Sequence, residues 1–221
     1  MAKTPAWSYT SLTTFETCPK RYYLTRVTKE VKEPPSEAMT WGNTVHKALE
    51  LRIKDKTPLP AVMQDYEKYC ASIEASPGRV FTETQYALNA KFERTGWFDK
   101  DVWCRGVVDV GVINGKKAAA LDWKTGKVKE DSKQMMLFAG FILHTEPEVE
   151  TVSTGFIWLK HNKVNKETYT REQLPEIWQE FLPRVRRLEV AYEQNKWEAK
   201  PSGLCRAWCP VGKSLCDHCG T

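Results

Sequence analysis

The feature that most constrains the fold is a pair of strand-like segments that meet at an Asn-Gly dipeptide, residues 114–115. Residues 102–113 and 117–124 are rich in β-branched, aromatic and small apolar side chains, which is typical of strands. Asn-Gly between two such segments is the strongest short signal for a two-residue hairpin loop. The sequence therefore predicts an antiparallel hairpin in which Ile113 lies opposite Lys116.

This predicted hairpin carries two acids and an amine on one face. In its register Asp109 lies opposite Ala120, and Asp122 shares the face because strand side chains alternate. Lys124 follows at the same period, and Arg105 lies opposite it. Diagonal neighbours on such a face are about 7–8 Å apart, so the two carboxylates can converge on one divalent cation.

Two carboxylates and a lysine in this arrangement suit the hydrolysis of phosphodiesters. Mg²⁺ and Mn²⁺ take hard oxygen ligands, lower the pKa of a bound water and draw charge from phosphate. A neighbouring lysine can orient that water or compensate developing negative charge. An Asp-x-Lys pair alone is more often a solvated ion pair, and it is the second aspartate, Asp109, that favours a metal site.

The remaining periodicity predicts helices packed on a mainly antiparallel sheet, an α/β or α+β arrangement. A helix entered through Asp131 or Ser132 is predicted to follow the hairpin. The other predicted helices cover residues 8–28 (two short helices, or one kinked at Cys18-Pro19), 41–54, 60–76 and 176–198, and the other strands cover 81–92, 151–159 and 164–170. Ser8 is the predicted N-cap of the first helical segment, and Val45, Leu49 and Ile53 form the predicted apolar stripe of the helix over 41–54.

Composition limits the class of protein. The chain has 221 residues, of which 41% are hydrophobic and 28% charged, which excludes collagen-like and wholly disordered chains and fits one domain, with or without a small appendage. No apolar run approaches the roughly 18 residues of a membrane span, and no secretory signal pattern is present. We therefore expect no membrane partner and a cytoplasmic location (the host cytoplasm for a viral protein). The net charge of +5 is compatible with a polyanionic partner but is not evidence for one.

The cysteines predict a second metal site. Four of the seven fall in the last 17 residues, Cys205, Cys209, Cys216 and Cys219, and in a reducing compartment such clustering favours a metal over disulfides. These four alone could form a Cys₄ zinc site, since Cys216-x2-Cys219 is zinc-like spacing, and His218 could substitute for one of them. Cys70 and Cys104 lie in apolar patterns and are predicted to be buried thiols.

Five motifs in order resemble a known family. They are Ser11 with Cys18-Pro19 and Tyr22, then Gly42-Asn-Thr-Val-His46, then RGVVDV ending near Asp109, then ALDWKTGK around Asp122 and Lys124, and finally Gln134 at the start of a helix. Together they are similar to the RecB-type nucleases of the PD-(D/E)XK superfamily. The likeness is greatest to the small, exonuclease-like members found in phages, which are relatives of the iron–sulfur nucleases of CRISPR adaptation.

The resemblance implies a restriction-endonuclease-like α/β fold, a mixed central sheet flanked by helices, and a role for each matching residue. Asp109 and Asp122 would hold the catalytic Mg²⁺ or Mn²⁺, with help from the backbone carbonyl of Trp123 and from His46. Lys124 would be the catalytic lysine.

The resemblance assigns Gln134 to contact the substrate or steady the site. The family's Gln-x-x-x-Tyr motif ends here in Phe138. No role can therefore rest on a tyrosine hydroxyl at this position.

The resemblance also implies a [4Fe–4S] cluster held by Cys18, Cys205, Cys209 and Cys216, with Cys219 as an alternative ligand and zinc as the alternative metal. Such a site would join the terminal segments. The chain would then be a single nuclease domain over residues 1–221, with its catalytic core at about 41–170 and its cysteine-bearing elements at about 8–28 and 199–219.

Two functional hypotheses follow. The first is a metal-dependent deoxyribonuclease, an exonuclease acting on DNA ends or single strands in phage-type recombination or repair. The chain has no P-loop, so it would be free-standing rather than part of a helicase. The sequence leaves open whether a single-strand annealing protein is a partner. It also leaves the oligomeric state open. The second hypothesis is a non-catalytic adaptor that binds nucleic acid and is stabilised by zinc or a cluster.

Overall fold

The computed structural model describes residues 4–33, 35–128 and 133–220. They form two compact units: Ser36–Gln179, and the terminal segments Met1–Pro35 with Glu180–Thr221. The predicted helix caps Asp131 and Ser132 lie outside the described residues.

The unit Ser36–Gln179 is built on a five-stranded mixed sheet in the order β1-β2-β3-β4-β5. Only the β3–β4 pair is parallel, and α5 (Lys133–Thr145) lies between these two strands in sequence, as a parallel crossover requires. The strands are β1 Arg79–Asn89, β2 Val102–Asn114, β3 Lys117–Lys124, β4 Thr151–Trp158 and β5 Lys163–Thr170. The predicted α/β class with a mixed sheet is confirmed.

The predicted hairpin forms, but its register differs from the prediction by one position on each strand. Its last pair is Asn114–Lys117, so the loop is Gly115-Lys116 and the predicted pairing of Ile113 with Lys116 is wrong. Gly115 takes the first loop position with φ +54°, the position at which one class of two-residue turn needs glycine. Asn114 consequently stays in the strand.

The corrected register moves two predicted contacts. Ala120 pairs with Gly111 rather than with Asp109. Arg105 pairs with Ala87 on β1, not with Lys124, because β2 continues beyond the region where it pairs with β3. The Arg105 side chain donates to the carbonyl of Trp97, 3.2 Å away, and lies over the Trp97 ring.

The sheet forks where the two acids lie. The β2–β3 ladder ends at the pair Val110–Leu121, while β2 remains paired with β1 on its other side. The next residues along the two separating strands are Asp109 and Asp122. The fork therefore places two carboxylates at a gap in the sheet rather than on a continuous face.

Three helices of this unit pack on the sheet. The first, α3 (Glu37–Asp55), is capped by Ser36 and begins four residues earlier than predicted. Its predicted apolar stripe, Val45, Leu49 and Ile53, is buried and packs in one core with β2, the Trp123 side chain and the segment that follows α3. That segment is a 3₁₀ turn, Ala61–Tyr66, followed by α4 (Glu67–Glu74). The third helix, α5, is buried along nearly its whole length.

The terminal unit begins with α1 (Tyr9–Thr17), capped by Ser8 as predicted. The helix breaks at Cys18, Pro19 occupies the first position of α2 (Pro19–Tyr22), and a π turn follows at Tyr23–Val27. The predicted interruption at Cys18-Pro19 is confirmed, since proline is tolerated at a helix start but not in its interior.

The later part of α6 (Leu174–Gln194) contributes to the same unit. There Tyr192 forms an aromatic cluster with Phe15, Tyr22, Tyr23 and Trp197. The Tyr22 and Tyr192 hydroxyl oxygens are 3.1 Å apart. Among the described residues no helix is long and apolar enough to cross a membrane.

Candidate active site

Polar side chains from three strands and two helices meet at the fork in the sheet. They are His46 on α3, Glu83 on β1, Asp109 on β2, Asp122 and Lys124 on β3, and Gln134 on α5. All but Glu83 were predicted from the sequence. The structure therefore brings together residues that lie up to 88 positions apart in the chain.

Three of these side chains form a set of metal-type donors. One ligand atom each from His46, Glu83 and Asp109 lies within 4.8 Å of the other two. Nδ1 of His46 is 3.3 Å from Oδ2 of Asp109. Two carboxylates and an imidazole are donors that Mg²⁺ or Mn²⁺ accepts, so the donor set fits a divalent cation.

The backbone of Trp123 ties this donor set to β3. Its N–H donates to Oδ2 of Asp109 at 2.8 Å, and its carbonyl oxygen is 2.8 Å from Nε2 of His46. The carbonyl predicted to assist the metal therefore lies at the site and holds the imidazole. The Trp123 side chain is buried against α3 and α4, so its packing in the core anchors the backbone at the fork.

Asp122 lies at the other edge of the fork and is almost fully buried, with 3% of its surface exposed. Oδ1 accepts a hydrogen bond from Nε2 of Gln134 at 3.0 Å, and Oδ2 is 2.6 Å from Nζ of Lys124. Lys124 Nζ also lies 3.4 Å from Oε1 of Gln134 and over the ring of Phe156. Gln134 thus fixes both the acid and the amine.

Two acids of the site, Asp122 and Glu83, have raised pKa values. Burial and then the charge of Asp109 hold the pKa of Asp122 well above its usual value. The same two causes raise the pKa of Glu83 to about 7. For His46 burial lowers the pKa, but hydrogen bonding to Asp109 and its charge outweigh burial, and the net shift is upward. A site that crowds negative charge in this way is suited to a cation.

Glu83 is the residue that sequence reasoning missed. It lies in mid-strand between the pairs Thr82–Val110 and Thr84–Val108 with φ +43°, a left-handed conformation that costs a non-glycine residue roughly 1–3 kcal/mol. The signal that could have found it is local: Thr-Glu-Thr is a polar run inside a strand, where glutamate is depleted.

The position of the family tyrosine is filled by Phe138. Its side chain is 2% exposed and lies among the buried residues of α5. The prediction that this position supplies no hydroxyl to the site agrees with its place in the core.

The cysteines gather in the terminal unit. Cys18, Cys205, Cys209, Cys216 and Cys219 line one cavity together with His218. Sγ of Cys18 accepts from the N–H of Lys200, and Sγ of Cys205 from the N–H of Ser202, both at 3.4 Å. Burial, followed by the neighbouring thiols of Cys209 and Cys216, raises the pKa of Cys219 to about 12.

Cys219, which the prediction kept as an alternative ligand, therefore lies in this cavity with the other four thiols. It contacts two of the predicted ligands, Cys209 and Cys216. Cys70 and Cys104 are fully buried elsewhere, as predicted. The thiols that line this cavity fit either zinc or an iron–sulfur cluster, since thiolates are ligands for both.

Comparison with known proteins places the fold. The family model of the PD-(D/E)XK nuclease superfamily matches residues 6–217. No protein of curated function matches the chain. Among solved structures, a candidate exonuclease from Eubacterium rectale is 14% identical with a TM-score of 0.53, over 92% of this chain and 86% of that one. The protein SSO0001 is 12% identical with a TM-score of 0.49, over 96% and 86%.

The chain belongs to the PD-(D/E)XK nuclease superfamily, because the family model spans nearly its whole length. Its sheet and flanking helices form the restriction-endonuclease-like α/β fold. It is accordingly a metal-dependent nuclease, a hydrolase of phosphodiester bonds that uses a divalent cation.

Proposed function

We propose that this chain is a RecB-type deoxyribonuclease that removes nucleotides from DNA ends or single strands. The observation that carries the proposal is the fork below the pair Val110–Leu121. It gathers acids from separate strands beside His46 and within reach of Lys124. The role in phage-type recombination or repair, and a single-strand annealing protein as partner, rest on the resemblance of the motifs alone.

In this proposal His46, Glu83 and Asp109 hold the cation. Asp122 and the backbone carbonyl of Trp123, which the resemblance assigns to the cation as well, lie next to this set at the fork. When bound, a divalent cation lowers the pKa of a water and draws charge from the phosphate. Burial of Asp122 and its hydrogen bond from Gln134 keep that carboxylate oriented without solvent.

Lys124 is the residue we assign to the reacting phosphate. Its ammonium group is held by Asp122 and Gln134 and lies over Phe156. Held in this way, it can orient the attacking water or compensate the charge that develops on the phosphate oxygens. Gln134 acts through Lys124 and through Asp122 rather than on the substrate.

DNA is proposed as the substrate because of the family motifs and the net charge of +5, which suits a polyanion. No segment of the sequence corresponds to a module for reading base edges. Ends and single strands are therefore favoured over specific sites.

The cysteines are proposed to hold a structural [4Fe–4S] cluster, with zinc as the alternative metal. Four ligands are drawn from Cys18, Cys205, Cys209, Cys216 and Cys219, which line one cavity. The sulfur atoms of Cys18 and Cys205 accept hydrogen bonds from backbone N–H groups. Hydrogen bonds of this kind orient metal-binding thiolates and tune the metal. A brown protein absorbing in the visible range supports the cluster, and a colourless protein with one zinc supports the alternative.

The test of the enzymatic proposal is incubation of end-labelled single- and double-stranded DNA with Mn²⁺. Wild type is expected to degrade DNA only when the metal is present. Lys124→Ala is expected to lose at least about 10²–10³ of the rate, the usual cost of one electrostatic group at a reacting centre. Lys116→Ala is the matched control, since Lys116 lies at the loop at the far end of β3 and pairs with Glu150.

Cleavage by Lys124→Ala at the wild-type rate would contradict the assignment of this lysine. A wild type that binds DNA but cleaves neither DNA nor RNA in Mn²⁺ would instead favour the non-catalytic adaptor. Cleavage of RNA alone would keep the hydrolase and overturn the choice of substrate.

A further inference from the structure

A second polar cleft lies beside the fork, in the same unit. It has a volume of about 580 Å³ and lies between the segment 64–68, at the start of α4, and the turn that joins β4 to β5. Its charged lining residues are Lys68, Lys160 and Asp65. None of them belongs to the residues assigned above.

The topology places this cleft near the backbone of Lys124, the lysine assigned to the reacting phosphate. Lys124 ends β3 and is paired with Trp158, the last residue of β4. The chain then enters the turn, and Lys160 follows only two residues later. Neighbouring strands are about 4.8 Å apart and rise about 3.3 Å per residue, so the turn begins at Trp158, roughly 8 Å from Asp122 at the fork.

A chain of contacts connects the cleft with the metal site. The ring of Tyr69 lies 6.5 Å from that of Trp123, whose backbone holds His46 and Asp109. The Tyr69 hydroxyl donates to Oδ1 of Asn162 at 3.2 Å. The turn is therefore braced, through Tyr69, against Trp123, whose backbone contacts two of the three candidate metal ligands.

The cleft presents hydrogen-bond donors. Lys68 Nζ donates to Oδ1 of Asn162 at 2.7 Å, which leaves two of its three N–H bonds available. Asn162, held in the left-handed conformation at φ +49°, uses its oxygen in these contacts, and its amide nitrogen has no partner among the described residues. Lys160 is exposed and likewise has no ion-pair partner in the described part of the chain.

Positive charge outweighs negative charge here. Lys68 and Lys160 face the single carboxylate of Asp65 within the cleft, and the exposed Lys163 follows on β5. Ammonium and amide donors around an open polar cleft suit the oxyanions of a phosphodiester chain, which such groups position without reading its sequence.

We infer that this cleft binds the phosphodiester backbone of the substrate strand next to the bond that is cut, with Lys68, Lys160 and Asn162 as donors to the phosphate oxygens. The inference rests on the proposed function in one respect, namely that the substrate strand runs from the fork to the turn. Binding itself can be measured without cleavage.

The experiment measures the affinity of the full chain for a fluorescein-labelled single-stranded 30-mer by anisotropy, in EDTA, between 50 and 300 mM salt. Neutralising two phosphate contacts should lower the slope of log K against log [salt] by about 1.4 and weaken binding about tenfold near 0.15 M salt. We expect this for Lys68→Gln/Lys160→Gln. The matched control is Lys116→Gln/Lys117→Gln, which removes the same charge at the opposite end of β3.

Lys160→Gln alone guards against a folding defect, because that exposed side chain makes no ion pair or hydrogen bond with any residue that the structure describes. It should weaken binding about fourfold and lower the slope by about 0.7. Equal slopes for the cleft variants and wild type, or equal losses in the cleft and control variants, would overturn the inference.

The outcomes separate the inference from the proposed function. Manganese-dependent cleavage by wild type with unchanged slopes in the cleft variants would leave the nuclease standing and remove the cleft. If wild type never cleaves DNA but only the cleft variants lower the salt slope, the cleft would stand and the nuclease would be removed.

Discussion

Glu83 combines a strained backbone with a raised pKa at the point where three donors converge. Its φ of +43° lies in a region that glutamate rarely adopts, and such strain persists where surrounding structure imposes it. The strand ladder on both sides of Glu83 does so here. We interpret the strain as the means by which a strand residue is turned toward His46 and Asp109.

The raised pKa of Glu83 predicts a pH-dependent stability of the metal-free protein. In the unfolded chain the carboxyl ionises near its usual pKa of about 4.5, and in the folded chain near 7. The folded state therefore loses stability as pH rises from about 4.5 to about 7. Glu83→Gln in EDTA should be more stable than wild type at pH 8 by about 1–2 kcal/mol, after allowance for solvent screening, and no more stable at pH 4.

Thermal unfolding at the two pH values checks this prediction. Glu148→Gln, at an exposed position, is the control and should behave as wild type. Mn²⁺ should stabilise wild type more than Glu83→Gln. The substitution has already removed the repulsion between Glu83 and the other acids, so the ion has less repulsion left to relieve in the variant. A Glu83→Gln protein that is equally stable at pH 8 and gains as much from Mn²⁺ would show that Glu83 is not a ligand.

Gln134 predicts a kinetic effect. Its amide contacts Asp122 Oδ1 and Lys124 Nζ, so Gln134→Leu should leave both groups in place but poorly oriented. Loss of such an outer partner typically costs about 10–100-fold in activity. We expect the loss in kcat, with KM for DNA nearly unchanged, in steady-state assays with Mn²⁺. An unchanged kcat would contradict the positioning role.

At the scale of secondary-structure elements, much of the fold follows from local patterns. The Ser8 cap, the break at Cys18-Pro19 and the buried stripe of α3 were all predicted, because caps, prolines and helical spacing are properties of neighbouring residues. The hairpin was predicted as well, but not its register. Asn114 and Gly115 both suit a turn, and the choice between them depends on pairing with the rest of the sheet.

The candidate site was predicted in the same uneven way. His46, Asp109, Asp122, Lys124 and Gln134 carry recognisable motif spacing, and the structure brings them together. Glu83 stands in no such motif, and only the pairing of β1 with β2 brings it beside Asp109. The fork itself is a property of three strands and could not be read from one.

Close packing between β1, β2 and β3 predicts a sensitive glycine. A Cβ added at Gly111 would come within 2.2 Å of the Phe81 ring and 2.4 Å of the Ala119 carbonyl oxygen. Gly111→Ala should therefore destabilise the protein by about 2–3 kcal/mol or more, as overpacking does. The urea midpoint measures this. Gly126→Ala, where a Cβ meets no described atom within 4 Å, should change stability by less than about 1 kcal/mol.

At the scale of the whole molecule, the cysteine site is expected to hold distant parts of the chain together. Cys18 and Cys205 are 187 residues apart in sequence, and cross-links that close long loops restrict the unfolded chain most. Removal of the bound metal should lower Tm by roughly 10 °C, from a loss of about 3–5 kcal/mol in a chain of this size. Differential scanning fluorimetry with and without chelation measures this.

Serine variants of the five cysteines identify the ligands in the same assay. Substitution of a ligand should lower both the metal content and Tm. Substitution of the one cysteine that is not a ligand should leave both unchanged. We expect Cys219→Ser to lower them, because Cys219 lies in contact with Cys209 and Cys216. Full metal content in Cys219→Ser would restore the set drawn from Cys18, Cys205, Cys209 and Cys216.

The central claim is that donors from a helix and two strands hold one hard cation at the fork of the sheet. The most direct measurement is an anomalous difference map from crystals soaked in Mn²⁺. We predict one peak within about 2.0–2.6 Å of a nitrogen of His46 and of carboxylate oxygens of Glu83 and Asp109, with Asp122 and Lys124 facing it. A map with no peak there, or with those side chains directed to separate surfaces, would contradict the claim.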